Sequence, residues 1–320
     1  MKLWGVSMVR NEEDIVEAFV RHNLTILDGM LVVDHNSTDR TLTILTALCA
    51  ERLPLVVKRH EAPGYLQAEI TTSATREVFA RTGADFVFPL DADEFLKVGS
   101  RAELDEYLRS LPPEVHPVLE WPTYVPPFDD VRRDVVASIR AARRLLGRAR
   151  QIGKVAVARR FASIPGAYVG QGNHEVYVGN DPRSARRLPM AGAPAAFCVA
   201  HLPARGAVQH TKKFGVRQLA RAAAGRNYPP DSNFYRACAG LRAGHVPTPD
   251  DMLRPYVDGF FVKTEAPPPT SIQSVEDPFI ADILLRYTPL PSDDALPTVL
   301  AAVEGLTRRV AASRQRSERA

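Results

Sequence analysis

Over its first hundred residues the chain switches back and forth between short continuous apolar runs and apolar stripes at helical spacing. That is the pattern a parallel sheet with crossover helices demands. Runs rich in Val, Leu and Phe at Leu3–Val9, Met30–Asp34, Leu55–Lys58 and Phe86–Leu90 predict strands buried on both faces. Between them, Asn11 followed by Asp14 reads as a capped helix start, and Ser37-Thr38-Asp39 as the cap of a helix with Leu42, Leu45 and Cys49 on one side. Ile70, Ala74 and Val78 mark a further helix. The strand spacing leaves room for successive right-handed βαβ units, which bring every strand's C-terminal end to one edge. Ligands bind at that edge in open α/β sheets.

Beyond residue 110 the pattern loosens through prolines at 112, 113, 117, 122, 126 and 127, then gives a basic, helical segment from Arg132 to Arg160. From Lys213 helices and loops are expected, punctuated by Pro229-Pro230 and Pro267-Pro268-Pro269, with a last helix marked by Val299, Val303, Leu306 and Val310. The expected organisation is a domain at 1–212, its halves 1–110 and 111–212, followed by a helical extension at 213–320. At 45% hydrophobic and 24% charged residues, without a biased tract, disordered and fibrous classes fall away. Three scattered cysteines (Cys49, Cys198, Cys238) supply neither a disulfide framework nor a four-thiolate zinc site. With no secretory leader and no long apolar run, a cytoplasmic protein is expected.

The strongest chemical signal is Phe86-Val-Phe-Pro-Leu running into Asp91-Ala-Asp93-Glu94-Phe95. On an extended chain Asp91 and Asp93 point the same way and can converge on one hard cation, which in turn can bind a diphosphate. The same residues also read as a solvated acidic turn. Asp34 ends the second strand, where a carboxylate can accept a nucleobase N–H. Arg10 and Asn11, where the first strand turns into its helix, suit an anionic or nucleoside ligand or, equally, an ordinary surface cap. Gly170-Gln-Gly-Asn-His174-Glu175 reads either as a loop approaching a ligand closely or as a plain glycine turn.

Taken together, Ser7-Met-Val-Arg-Asn-Glu-Glu, Val33-Asp-His-Asn-Ser-Thr-Asp-Arg-Thr and Leu90-Asp-Ala-Asp-Glu-Phe resemble the nucleotide-sugar-binding half of family 2-type glycosyltransferases with the GT-A fold. His201-Leu-Pro-Ala-Arg205 through Gln209 and Lys213 is similar to the H-x3-(K/R)-S-x2-(E/Q) element of the bacterial subgroup with D-x-D-E-F, departing at Gly206, where serine is usual. The resemblance spans roughly residues 3–215. It implies a GT-A-like α/β sheet with helices on both faces, a nucleoside-diphosphate sugar donor, Mn2+ or Mg2+, and a glycan or lipid-linked acceptor in bacterial surface glycan synthesis. Ser7, Val9, Arg10, Asn11, Asp34, Asp91, Arg205 and Lys213 would bind the donor. Asp34 would recognise the base, Asp91 would sit near the ribose or metal, Asp93 would ligate the metal, and His201 would complete the metal or diphosphate site. Arg205 and Lys213 would neutralise the leaving diphosphate. By the same resemblance Glu175 is the candidate acceptor base and His174 a metal or acceptor contact, with Glu120 and Asp129–Asp130 as rivals. Inversion by direct displacement is the expected chemistry.

The basic run (Arg132, Arg133, Arg140, Arg143, Arg144, Arg148, Arg150, Lys154, Arg159, Arg160) reads as a solvated helix face, with Val135, Ile139, Ala142 and Leu146 as its buried stripe. Its arginines would also suit the inner face of an anionic membrane; the absence of interleaved aromatics makes nucleic acid the least favoured partner. Two other functional classes fit parts of the chain. A strand ending in D-x-D also describes aspartate-nucleophile phosphatases, with Asp91 attacking phosphorus, although Phe95 and the late position of the motif speak against it. A sugar-nucleotide or polyanion binding module would keep the donor site without a base. No G-x-G-x-x-G or G-K-S/T loop anchors a dinucleotide or P-loop reading.

Overall fold

In a computed structural model the described residues are 1–62, 64, 66–128, 135–146, 153–179, 184–223, 233–258, 273–290 and 294–317. Strands β1 (Leu3–Val9) and β2 (Gly29–Asp34) pair in parallel from Trp4 opposite Gly29 to Val9 opposite Asp34. Gly29 is required there, because a Cβ would lie 2.6 Å from the Trp4 ring. β3 (Leu55–Arg59) adds to β2, β4 (Phe86–Pro89) adds to β1, and β10 (Val157–Ala158) closes the far edge antiparallel to β4. The order β10-β4-β1-β2-β3 carries the four parallel strands' C-terminal ends to one edge.

Alternation along the strands sorts side chains to two cores. Leu3, Val9, Met30 and Val32 pack with Ile15, Phe19, Ile44, Leu45 and Leu48 around helices α1 (Val16–Asn23) and α2 (Thr41–Ala50). Val6, Leu31 and Val33 face Ile70, Ala74, Val78 and Phe79 on helix α3 (Gln67–Thr82). The chain is therefore α/β, with helices on both faces of the sheet as expected. The loops carry less local capping than expected. Ser37 Oγ accepts the Asn11 N–H at 3.0 Å, and Asp39 accepts N–H groups of both Thr41 (2.9 Å) and Glu13 (3.3 Å), so the cluster ties two loops together as well as starting α2.

After β4 come β5 (Glu94–Lys97), α4 (Arg101–Ser110), β6 (His116–Leu119), β7 (Tyr124–Val125), α5 (Val135–Arg140), β8 (Arg143–Leu146) and β9 (Lys154–Val155). Following β10 are β11 (Ala167–Val169), β12 (Val176–Val178), β13 (Arg186–Arg187), β14 (Met190–Gly192) and β15 (Cys198–His201). The C-terminal part holds α6 (Ala207–Ala223), α7 (Asn233–Arg242), α8 (Pro249–Asp258), β16 (Gln273–Glu276) and α9 (Leu296–Ser317). The boundary expected at 212/213 falls inside α6. Nor is residue 132 onward one basic helix: among the described residues Val135–Arg140 is helical and Arg143–Leu146 then runs as a strand between β7 and β16. Of the stripe read as helical, Ile139 and Ala142 are buried, whereas Leu146 stands exposed at the end of β8, whose path is set by pairing with β7 and β16. Its arginines serve intramolecular partners: Arg140 pairs with Asp282, Arg143 with Glu276 at 3.0 Å, and Arg144 with Glu120 at 3.5 Å. Arg132, Arg133, Arg148 and Arg150 lie outside the described residues, as do both proline clusters. No helix among the described residues is long and apolar enough to cross a membrane.

A strap at 277–290 returns to the sheet domain and is clasped by α1. Glu17, fully buried, accepts the N–H groups of Arg286, Tyr287 and Thr288, each at 2.8 Å, and the Thr288 hydroxyl at 2.9 Å. Burial pushes this carboxyl up, but those donors together with Arg21 outweigh it and hold it below the usual range. Glu17→Gln should therefore cost about 3 kcal/mol at neutral pH, since an amide sets its own N–H against these donors. The ionised form's contribution is complete above the unfolded carboxyl value of about 4.3 and fades as pH falls through the depressed folded value. Denaturant melts of both proteins should accordingly diverge at pH 7 and draw together as pH falls through the depressed folded value, and equal melts at pH 7 would refute the clasp.

Candidate active site

Beyond β4 the chain does not stay extended. The Glu94 N–H returns to the Asp91 carbonyl at 3.0 Å, so 91–94 is a turn and the two aspartates diverge. Asp91 Oδ1 accepts from Gln67 Nε2 at 2.7 Å and from Asn173 Nδ2 at 3.3 Å, and Oδ2 faces Lys154 Nζ at 3.2 Å. Both of its oxygens are engaged, which does not suit a phosphatase nucleophile. Asp93 turns inward to Lys213, with His201 Nε2 at 3.8 Å and Arg205 Nη1 at 3.9 Å.

These partners arrive through long-range pairing. β15 runs antiparallel to β5 with His201 opposite Glu94, and the Leu202 N–H donates to the Asp93 carbonyl at 2.8 Å. The chain then turns at Gly206 into α6, which carries Lys213. Gly206 has φ +126, a backbone region that glycine tolerates and serine disfavours, giving a local reason for the departure from the expected serine. Arg205 is fixed by Glu12 (2.6 Å) and Asp14 (2.7 Å) from the β1–α1 loop. The sequence placed Asp14 at a helix start and Glu12 in the motif after Arg10, with no sign that both face Arg205.

The electrostatics follow from burial and pairing. Burial opposes ionisation of Asp93, but Lys213, His201 and Arg205 hold its carboxyl well below the ordinary range. Burial drives His201 far below its usual value despite Asp93, so its imidazole is neutral at pH 7. Both Arg205 and Lys213 are raised: burial works against their charge, and Asp14 with Glu12, or Asp93, more than compensates. Trp121 stacks on His201 with ring centroids 4.2 Å apart and carries Lys154 Nζ at 4.8 Å from its own centroid.

Asp93, Glu94 and His201 each offer a ligand atom, all within 4.8 Å of one another. Glu94 is already committed: Oε1 receives Trp121 Nε1 at 2.9 Å and Lys154 at 2.6 Å, and Oε2 the Asp91 N–H at 3.0 Å. That leaves Asp93 and His201, whose 3.8 Å separation is too long for a hydrogen bond and within reach of one ion. The His201 Nδ1 also lacks a partner. A carboxylate beside a neutral imidazole fits Mn2+ or Mg2+ as donor chemistry.

At the ends of β1 and β2 a second group of residues gathers. Asn11 adopts φ +55, and its Oδ1 receives the Thr38 N–H at 2.7 Å. Asp34, 1% exposed, receives the Ser37 N–H at 3.4 Å on Oδ2 and has no partner on Oδ1. Buried atoms of Ser7 (Oγ), Arg10 (Nε, Nη2) and Asn11 (Nδ2) are likewise unpartnered. Val9 differs: its side chain is in the core and its carbonyl accepts the His35 N–H at 2.8 Å, leaving little to offer a ligand.

The Gly170–Glu175 segment is a tight turn between β11 and β12, closed by Gly170 N–H to Glu175 O at 2.8 Å, with Gly172 at φ +81 and Asn173 at φ +60. Asn173 holds Asp91, whereas Glu175 turns to the Tyr177 hydroxyl and to Arg187 at 2.7 Å. Slight burial raises its carboxyl, and these two partners more than reverse that. His174 donates Nδ1–H to the Gly153 carbonyl at 2.8 Å and is lowered to about 4 by burial and by Lys154. Glu120 is paired with Arg144, and Asp129–Asp130 lie outside the described residues. The sequence signal that was missed is Lys154, which sits in a Val-Ala-Val run where a solvated side chain does not belong.

No protein-family model matches the chain, and no curated protein matches it. Solved structures similar to it include residues 1–349 of Staphylococcus aureus TarS, at 13% identity over 78% of this chain and 74% of that one, TM-score 0.35. A mannosyltransferase from Pyrobaculum calidifontis in complex with GDP-Man and Mn2+ matches at 17% identity over 75% and 69%, TM-score 0.38. Glucosyl-3-phosphoglycerate synthase from Mycobacterium tuberculosis, with Mn2+, UDP and glucosyl-3-phosphoglycerate, matches at 17% over 50% and 57%, TM-score 0.28.

Proposed function

We propose that the chain is a glycosyltransferase taking a sugar from a nucleoside-diphosphate donor to an acceptor hydroxyl with inversion. The observation that carries this is a two-ended site on one sheet edge. Asp93, His201, Arg205 and Lys213 form a charged end, and unpartnered polar atoms of Ser7, Arg10, Asn11 and Asp34 form the other. A diphosphate fits the first and a nucleoside the second. Asp93 and His201 would hold Mn2+ or Mg2+, whose chemistry is charge neutralisation of the leaving diphosphate. Lys213 and Arg205 stabilise the same developing charge, and their rigid pairing with Asp93, Glu12 and Asp14 means little reorganisation accompanies reaction. Asp91, anchored by Gln67, Asn173 and Lys154, shapes the wall near the ribose. Glu175, ionised at neutral pH and partly exposed, is the base for the acceptor hydroxyl, which would take the place of the Tyr177 or Arg187 contact now on its two oxygens; His174 lines the acceptor side. By the motif resemblance the acceptor is a glycan or lipid-linked saccharide on the cytoplasmic side of the membrane.

Incubation with a panel of nucleotide sugars and Mn2+ should release nucleoside diphosphate, slowly with water and faster with acceptor. Release of inorganic phosphate from simple phosphate esters instead, or no release with every donor, would reject the assignment.

A further inference from the structure

The last helix brings a second guanidinium to the nucleoside end. Arg309 on α9 is half-buried and feels the charge of Glu61, but its Nε and Nη2 atoms are buried without hydrogen-bond partners, the same two atoms that lack partners in Arg10. The two side chains lie within electrostatic reach of each other, and both reach His35. Burial first, and Arg309 second, bring Arg10 down to about 10 against the pull of Asp34. Buried N–H donors are normally satisfied, so unpartnered Nε and Nη2 atoms on two neighbouring guanidiniums call for acceptor oxygens or nitrogens as their complement. Beside them stands the unpartnered Asp34 Oδ1, which in the ionised form can accept hydrogen bonds and cannot donate. α9 is held there by α6, where a Cβ on Gly215 would touch Val299 at 3.5 Å, so the helix bearing Lys213 also supports the one bearing Arg309.

We propose that Arg309 completes a nucleobase subsite with Arg10 and Asp34, and that this subsite takes a base whose edge carries a carbonyl next to a ring N–H. Uracil and guanine have that edge. Adenine and cytosine present an unprotonated ring nitrogen in its place, which would meet the lone pairs of Asp34. The inference rests on the transferase reading, which is what brings a nucleotide here.

Calorimetric titration of the full chain in Mn2+ with UDP, GDP, ADP and CDP tests it. UDP or GDP should bind about tenfold or more tighter than ADP and CDP, the discrimination of one good bidentate contact. Arg309→Ala should weaken the preferred nucleotide by about tenfold while leaving the affinity for Mn2+ alone unchanged. Arg309→Met, which keeps the aliphatic stem, serves if alanine disturbs α9, and thermal melts check both variants. If wild type binds none of the four, the transferase reading falls with this one. If it binds one and both variants match it within twofold, Arg309 is not in the subsite and the transferase reading stands. ADP or CDP binding as tightly as the better of UDP and GDP overturns the base assignment.

Discussion

Asp93→Asn should reduce metal-dependent donor turnover by about a thousandfold, equivalent to ~4 kcal/mol of transition-state stabilisation. The size follows from what the carboxylate does. It is the ionised partner of Lys213 and lies 3.8 Å from the neutral imidazole of His201, so an amide there removes one of two cation ligands and releases Lys213 from its position. The fold should survive, because Arg205 keeps Glu12 and Asp14 and the turn keeps its Glu94 N–H to Asp91 carbonyl bond. Mn2+ affinity measured by paramagnetic resonance should fall together with turnover, with the thermal midpoint little changed. Wild-type turnover and Mn2+ affinity in this variant would remove the charged end of the site from the mechanism.

The sheet was legible because continuous apolar runs have few alternatives, although β3 at the sheet's edge is not covered on both faces as expected and leaves Val56 exposed. Leu3–Val9 is β1 residue for residue, and the other three predicted strands differ from β2, β3 and β4 by one residue at an end. What periodicity could not give was anything set by pairing across the chain. Asp91 and Asp93 read as a converging pair on an extended strand, and a single backbone bond from Glu94 N–H to Asp91 O makes them diverge. His201 was placed by its motif, but its position opposite Glu94 depends on β5 and β15 finding each other over a hundred residues of intervening chain. The basic segment misled most. Apolar positions at 135, 139, 142 and 146 satisfy a helix, yet the chain runs as a short helix and then a strand between β7 and β16, which buries Ile139 and Ala142 and leaves Leu146 half exposed at the strand's end. The solvated face suggested by charge density holds for Arg140 and Arg143, which are exposed, and their partners Asp282 and Glu276 are exposed with them; Glu120 faces Arg144.

Lys154, read with those arginines as part of a solvated face, gives the largest expected effect on stability. It is 1% exposed, with Nζ at 2.6 Å from Glu94, 3.2 Å from Asp91 and 2.7 Å from the Gly172 carbonyl. Burial disfavours its charge, but Asp91 and Glu94 raise its pKa, so it remains an ammonium ion at neutral pH. Lys154→Met keeps the volume and removes the only buried ammonium serving both carboxylates among the described residues, leaving Glu94 fully buried. Breaking such a pair from one side costs about 4 kcal/mol, which for a chain of this size lowers the melting midpoint by roughly 10 °C. Most of that cost falls on Glu94, whose carboxyl burial pushes up to about 8 against the pull of Lys154, so that without the ammonium it stays buried in its protonated form, and not on the lost attraction itself. Adding Glu94→Gln should therefore recover about 2 kcal/mol, since an amide in that place still accepts from Trp121. The double variant being less stable than Lys154→Met alone would mean that Glu94 holds the 91–94 turn through its Asp91 N–H bond more strongly than it needs its counter-ion.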